Sequence, residues 1–169
     1  MAIVATASIN TTLKGSLSNN GLDIGQASFS FNESFNLALS NGVGINAITQ
    51  MWNDIRTIAA STSDDINLNT LTNAFGLAAS FASIKAMLVK ANIANTNNLV
   101  VGNAATPFAS FFGAADNTLI LPPGAMVLLT NPSSAGYAVT PTTNHLLTIT
   151  NGGAGTTVSY EIFLFGVAA

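Results

Sequence analysis

The residues able to do chemistry are few, and their spacing matches none of the common catalytic or metal-binding constellations. The chain has one histidine, His145, and no cysteine. A zinc site draws its ligands mainly from Cys and His, and a single imidazole cannot supply one. His145 opens the alternation His145, Leu147, Ile149, which suits a strand-end or partly buried residue. Acid–base work would need a cleft that joined it to Asp54 or Asp116. Asp64-Asp65 with Ser61 and Ser63 offers oxygen atoms to calcium but lacks the ligand order of a calcium loop, so it reads as a solvated turn. Asp54 and Arg56 would share one face of a strand and read as an ion pair at a sheet surface or subunit contact. Gly152, Gly153 and Gly155 lack the Lys-Ser/Thr and the following helix of a phosphate loop, which leaves a hairpin loop. The expected catalytic, cofactor-binding and metal-ligand sets are therefore empty, and no cofactor is expected.

Aromatic rings offer a second kind of chemistry. Trp52, Tyr137 and Tyr160 could stack on sugars if they lay open in a shallow cleft beside Asn or Asp side chains. Aromatic residues spread along strands more commonly fill cores or interfaces.

The elements that would carry these residues read as strands. Phe81–Gly102 gives two apolar ribbons joined by Asn95-Thr96-Asn97-Asn98, with Lys85 and Lys90 inside the first. Ser28–Leu39 alternates almost strictly, placing Phe29, Phe31, Phe35, Leu37 and Leu39 on one face, the pattern of a half-buried strand. Glu33 breaks that face and suggests a bulge, a rim position or a polar contact. Ile3–Leu17 forms a Thr- and Ser-rich ribbon before a turn at Ser18–Gly21, and Asn41-Gly42 closes the segment. Trp52–Ala60 is expected as a strand, Ser61–Asp65 as a loop and Ile66–Leu68 as a short strand. Leu71–Phe75 reads as a helical turn stopped by Gly76. Beyond Asn103, short apolar runs at Phe108–Phe112, Thr118–Leu121, Met126–Leu129, Ala138–Val139, Leu146–Ile149 and Val158–Phe165 alternate with Gly and Pro turns. That punctuation predicts an all-β sandwich or jelly roll with at most one or two short helices. Residues 1–43 are expected as N-terminal extended strands, either an arm or part of the main domain, and 44–169 as the sandwich.

Composition narrows the partners. At 169 residues the chain suits one domain, and only 7% of residues are charged, against about 25% in ordinary soluble domains. The four cations, Lys14, Arg56, Lys85 and Lys90, are scattered and the net charge is −3, so a nucleic-acid partner is not expected. No apolar run reaches membrane-spanning length, and the start, Met1 to Ser8, lacks the basic region of a signal peptide. Polarity comes instead from Asn, Thr and Ser, which lets copies approach without repulsion and suits interfaces, where charge is depleted.

Several segments, taken together, resemble a family of small tailed-phage and prophage virion structural proteins. They are Trp52–Ser61, Leu71–Gly76, Ala94–Gly102 and Ile149–Ile162, in an order that covers about residues 50–166. Pro123-Gly124-Ala125 stands where that family usually has Pro-Gly-Gly. The resemblance implies a β-rich virion component, a capsid decoration (cement) protein with no catalytic residues. Its expected partners are the major capsid protein of a phage head and its own copies as a homotrimer, with no membrane. A tail or fibre component carrying a glycan-binding sandwich is the alternative. Deletion of residues 1–24 is expected to weaken attachment more than folding.

Overall fold

The computed structural model describes residues 4–19, 21 and 27–169. None of the described residues is helical. The strands are β1 (Ala7–Asn19), β2 (Ala27–Asn41), β3 (Ala47–Ile48), β4 (Gln50–Ile58), β5 (Ser63–Asn67), β6 (Leu71–Thr72) and β7 (Ala78–Ala79). They continue with β8 (Phe81–Ala91), β9 (Leu99–Gly102), β10 (Thr118–Leu121), β11 (Met126–Thr130), β12 (Tyr137–Ala138), β13 (Leu146–Asn151) and β14 (Val158–Ala168).

Two sheets build the body. One runs β10-β9-β13-β5; the other runs β11-β8-β14-β4, with β12 also paired to β8. Period-2 alternation in β14 sends Val158, Tyr160, Ile162 and Leu164 inward. They meet Leu99, Val101, Leu147 and Ile149 of the other sheet in one continuous core. This is the all-β, sandwich-like fold that the turn-punctuated sequence predicts.

The ribbon pair at Phe81–Gly102 splits differently from a hairpin. β8 lies in one sheet and β9 in the other, so residues 92–98 carry the chain across the sandwich. Gly152, Gly153 and Gly155 likewise sit in a crossover from β13 to β14, which lie in different sheets, and not in a hairpin loop. Phe108–Phe112 is not a strand, and its last three residues form a turn: Phe108 and Phe111 pack edge to face at 5.4 Å, and aromatic packing takes the place of a ladder. Leu71–Phe75 is not a helical turn either. Leu71–Thr72 pairs with Ala78–Ala79, Asn73 Oδ1 accepts the backbone N–H groups of Phe75 and Leu77, and Gly76 turns at φ 76°. The Asn73 side chain supplies the turn a local geometry that competes with helix. β5 begins at Ser63, so Ser63–Asp65 is strand where a loop was expected.

A bulge in the second sheet sets the place of one buried cation. The β8–β14 register shifts between Phe165 and Gly166, leaving Lys85 as the extra residue. Lys85 is fully buried, and its Nζ donates to the carbonyl oxygens of Ser133 and, at 2.7 Å, Ser134. Burial pushes its pKa below the ordinary lysine value. The ammonium ties the 131–136 loop to the sheet.

β1 and β2 form a long antiparallel hairpin, with β3 adding in parallel at its root. The register runs unbroken from Ala7↔Leu39 to Asn19↔Ala27, so Glu33 makes no bulge and stands opposite Leu13. The turn expected at Ser18–Gly21 and the start of the ribbon at Ile3 lie partly outside the described residues. The expected burial of the Phe29–Leu39 face holds only at the root: Leu37 and Leu39 are buried, whereas Phe29, Phe31 and Phe35 are exposed.

Candidate functional site

The polar residues that the sequence singles out converge at one open edge of the sandwich. β4 ends one sheet and β5 ends the other. Alternation along β4 turns Asp54 and Arg56 to the same side as the buried Trp52 and Ile58. Arg56 Nε and Nη2 donate to Asp64 Oδ2 and Oδ1 at 2.5 and 2.8 Å, a two-pronged pair, while Nη1 donates to Asp54 Oδ2 at 3.1 Å. The Tyr160 hydroxyl, on β14, donates to Asp64 Oδ2 at 2.8 Å. The Asp54–Arg56 pair expected from spacing is thus present. Its stronger partner, Asp64, comes from the neighbouring sheet, and no sequence spacing marks it.

The electrostatics fix these protons in place. The hydrogen bond to Asp64 raises the Arg56 pKa despite its partial burial. Burial alone would push the Asp64 carboxyl up, but hydrogen bonds from Arg56 and Tyr160 and the Arg56 charge hold it below the usual carboxylate range. Burial, then the Asp64 hydrogen bond, pushes the Tyr160 phenol well above its ordinary value. Asp64 accepts three donors and Tyr160 keeps its proton, so the cluster clasps the two sheets.

The clasp predicts acid sensitivity. Asp64 contributes stability above its unfolded pKa of about 3.9, and that contribution is lost as pH falls through the lower folded value. Asp64→Asn presents an amide to the guanidinium and is expected to cost about 2 kcal/mol at pH 7, a buried-pair loss discounted for partial exposure. Urea titrations should show the gap between wild type and Asp64→Asn closing between about pH 5 and pH 2. A gap that stays constant across that range would contradict the assignment.

The remaining candidates are scattered. Trp52 and Tyr160 are buried in the core, and Tyr137 is half-buried with its ring edge on Phe111 at 5.9 Å. The three rings therefore form no common platform. An apolar recess of about 330 Å³ is lined by Met51, Trp52, Phe75 and Leu77 among others, and Trp52 is 7% exposed there. His145 is half-buried just before β13, and its Nδ1 has no partner. Neither that recess nor the polar one beside Arg56 is lined by His145 or Asp116. Asp65 accepts from Thr148 Oγ1 at 2.5 Å. Among the described residues no group of three or more His, Cys, Asp or Glu could hold a metal, and no helix is long and apolar enough to cross a membrane.

What the sequence did not reveal is a surface. Alternation correctly paired Phe29, Phe31 and Phe35 on one face of the hairpin, but periodicity carries no information about what covers a face. Cross-strand pairing shapes it further: the Phe31 ring lies against Gly15, where a Cβ would meet it at 2.5 Å. An aromatic ring over a strand glycine restores packing that glycine lacks. Compared with protein-family models and with curated proteins, the chain matches none.

Proposed function

We propose that this chain is a structural protein of a phage virion, a capsid decoration (cement) protein. It binds the major capsid protein and its own copies, as a homotrimer, and reinforces the head shell without doing chemistry. One observation carries the reading: a hairpin with strands of 13 and 15 residues presents an apolar face that its own body covers only at the root. Such a face is suited to protein contact. The saturated Arg56–Asp64–Tyr160 clasp supports binding over catalysis, and the resemblance in residues 50–166 supports the virion. A protein that binds only the assembled shell stabilises it by mass action, and the low charge lets many copies sit side by side.

Electron cryomicroscopy of particles made with this chain is expected to show its density on the outer head surface. Heads lacking it should release their genome at a lower temperature. Density confined to the tail, or absent from the particle, would overturn the cement reading; a tail location would favour the fibre alternative.

A further inference from the structure

We propose that the distal apolar face of the β1–β2 hairpin docks on the outer face of the five-stranded sheet of a second copy of this chain. The proposal rests on the self-association in the reading above, and not on any position in a virion.

The hairpin supplies the first surface. Its root packs Leu37 and Leu39, 6% and 2% exposed, against Ile48, Ala86 and Phe165. Farther out on the same face, Phe35, Phe31 and Phe29 are 50%, 48% and 67% exposed, and Leu13 and Leu17 across from them 64% and 74%. These residues do not reach their own sheet. The stretch from Thr11 to Asn19 spans roughly 30 Å, close to the width of a domain this size, so it can cross onto a neighbour.

The sheet supplies the second. Alternation and register bring Leu128, Leu88 and Phe163 into one outward row across β11, β8 and β14. The adjacent row holds Ala86 and Phe165, and these are the two residues the hairpin root already covers. The Leu128–Leu88–Phe163 row stays half-buried and runs on to Asn53 of β4; in the next row, across from Glu161, Ile55 is 75% exposed. The intramolecular contact thus uses one part of each surface and leaves the continuation of both open. A second copy presents both continuations at once.

Charge agrees. Glu33 is the charged residue on the hairpin's apolar face. Of the four cations, Lys85 is buried, Arg56 points to the clasp and Lys14 lies on the hairpin's polar face, which leaves Lys90 on the sheet's outer face. Lys90 Nζ sits 3.2 Å from Glu161 Oε1 and retains donors for a second carboxylate. A hairpin-to-sheet contact is head-to-tail, so it closes into a ring wherever the rotation permits.

The test exploits the absence of native cysteine. Full-length Phe31→Cys and Leu88→Cys chains are mixed, allowed to exchange and treated with a short bismaleimide. A linked dimer should form in the mixture above the level in either chain alone. Sedimentation velocity from about 1 to 100 µM should show association for the unmodified chain. The Phe31→Ser/Phe35→Ser double variant should move its midpoint up at least roughly tenfold. Its far-UV spectrum should be unchanged, because both rings lie clear of the body. Three results would overturn the proposal: a monomer at every concentration, association without the cross-link or the midpoint shift, or phenylalanine variants that lose head attachment while the chain stays monomeric. The first two do not depend on where the protein sits in a particle, so self-association and the virion reading fail separately.

Discussion

Asn151→Asp is expected to destabilise the protein by about 3 kcal/mol or more at pH 7, a shift of roughly 6–12 °C in Tm for a chain this size. Asn151 is 2% exposed and ends β13. Its Nδ2 faces the carbonyl oxygens of Thr156, Ala59 and Ile58 at 2.8, 3.1 and 3.4 Å. Its Oδ1 accepts from Asn97 Nδ2 at 3.0 Å and the Gly153 N–H at 3.3 Å. One amide thereby joins the end of β4, the 92–98 crossover and the 152–157 crossover. The aspartate is the same size but turns a donor into an acceptor against three carbonyls. Burial and those carbonyls will raise its pKa, so the folded variant binds more protons than its unfolded chain. The sign follows: the variant regains stability as pH falls through the raised value, once a carboxylic O–H can donate to one carbonyl. Denaturant titrations at pH 7 and pH 5 should show the deficit against wild type shrinking. A deficit that is small at pH 7, or that grows on acidification, would contradict the hub assignment.

The sequence made some of this visible and hid the rest for physical reasons. Short apolar runs between Gly and Pro turns were legible as strands: Thr118–Leu121 matches β10 to the residue, and Met126–Leu129, Leu146–Ile149 and Val158–Phe165 fall inside β11, β13 and β14, the last with clear alternation. Alternation is local, and local steric rules produce it. Pairing between distant segments is not local. Nothing near Asp64 in the chain announces that Arg56 and Tyr160 will reach it, and nothing near Asn151 announces Asn97. Lys85 was read as a cation in an apolar ribbon, and only the bulge opposite Gly166 explains how a lysine is buried there. The turn-rich stretches misled in another way. Phe108–Phe112 has strand composition but gains more by clustering its rings on Tyr137 than by joining a ladder, which is the context dependence of β propensity.

The hairpin marks the same boundary on the functional side. Its face was legible as apolar, and a half-buried strand was the natural expectation for a lone chain. The register with β1 lines up two apolar stripes on that face, yet most of the stripe remains open. Foldability alone does not require Phe29, Phe31 and Phe35 there, since serine alternates along the opposite face without cost to the pairing. Their presence is the reason to look for a partner.

Gly166→Ala is expected to cost about 3 kcal/mol, at the upper end for overpacking, and to disturb the hairpin's seat as well as the core. Gly166 is buried in β14 at the bulge, and a Cβ there would run into the Ser83 carbonyl oxygen and come within 2.8 Å of the Phe81 ring. The first obstacle is backbone, which cannot rotate aside as a side chain can. Relief requires β8 and β14 to separate at the point where Lys85 is directed toward Ser133 and Ser134 and where Phe165 meets the hairpin root. Gly166 O also accepts the Thr49 N–H at 3.0 Å, so the link from β3 to β4 will shift with it. Gly155→Ala provides the contrast: nothing lies within 4 Å of its Cβ position, and only its φ of +90° resists substitution, a cost of about 1–2 kcal/mol. Thermal unfolding of the two variants separates crowding from backbone strain. Hydrogen exchange should show faster amide exchange in β2, β3 and the 131–136 loop for Gly166→Ala and not for Gly155→Ala. Equal losses of Tm in both, with no change around the bulge, would mean that close approach of β8 and β14 does not hold the hairpin root in place.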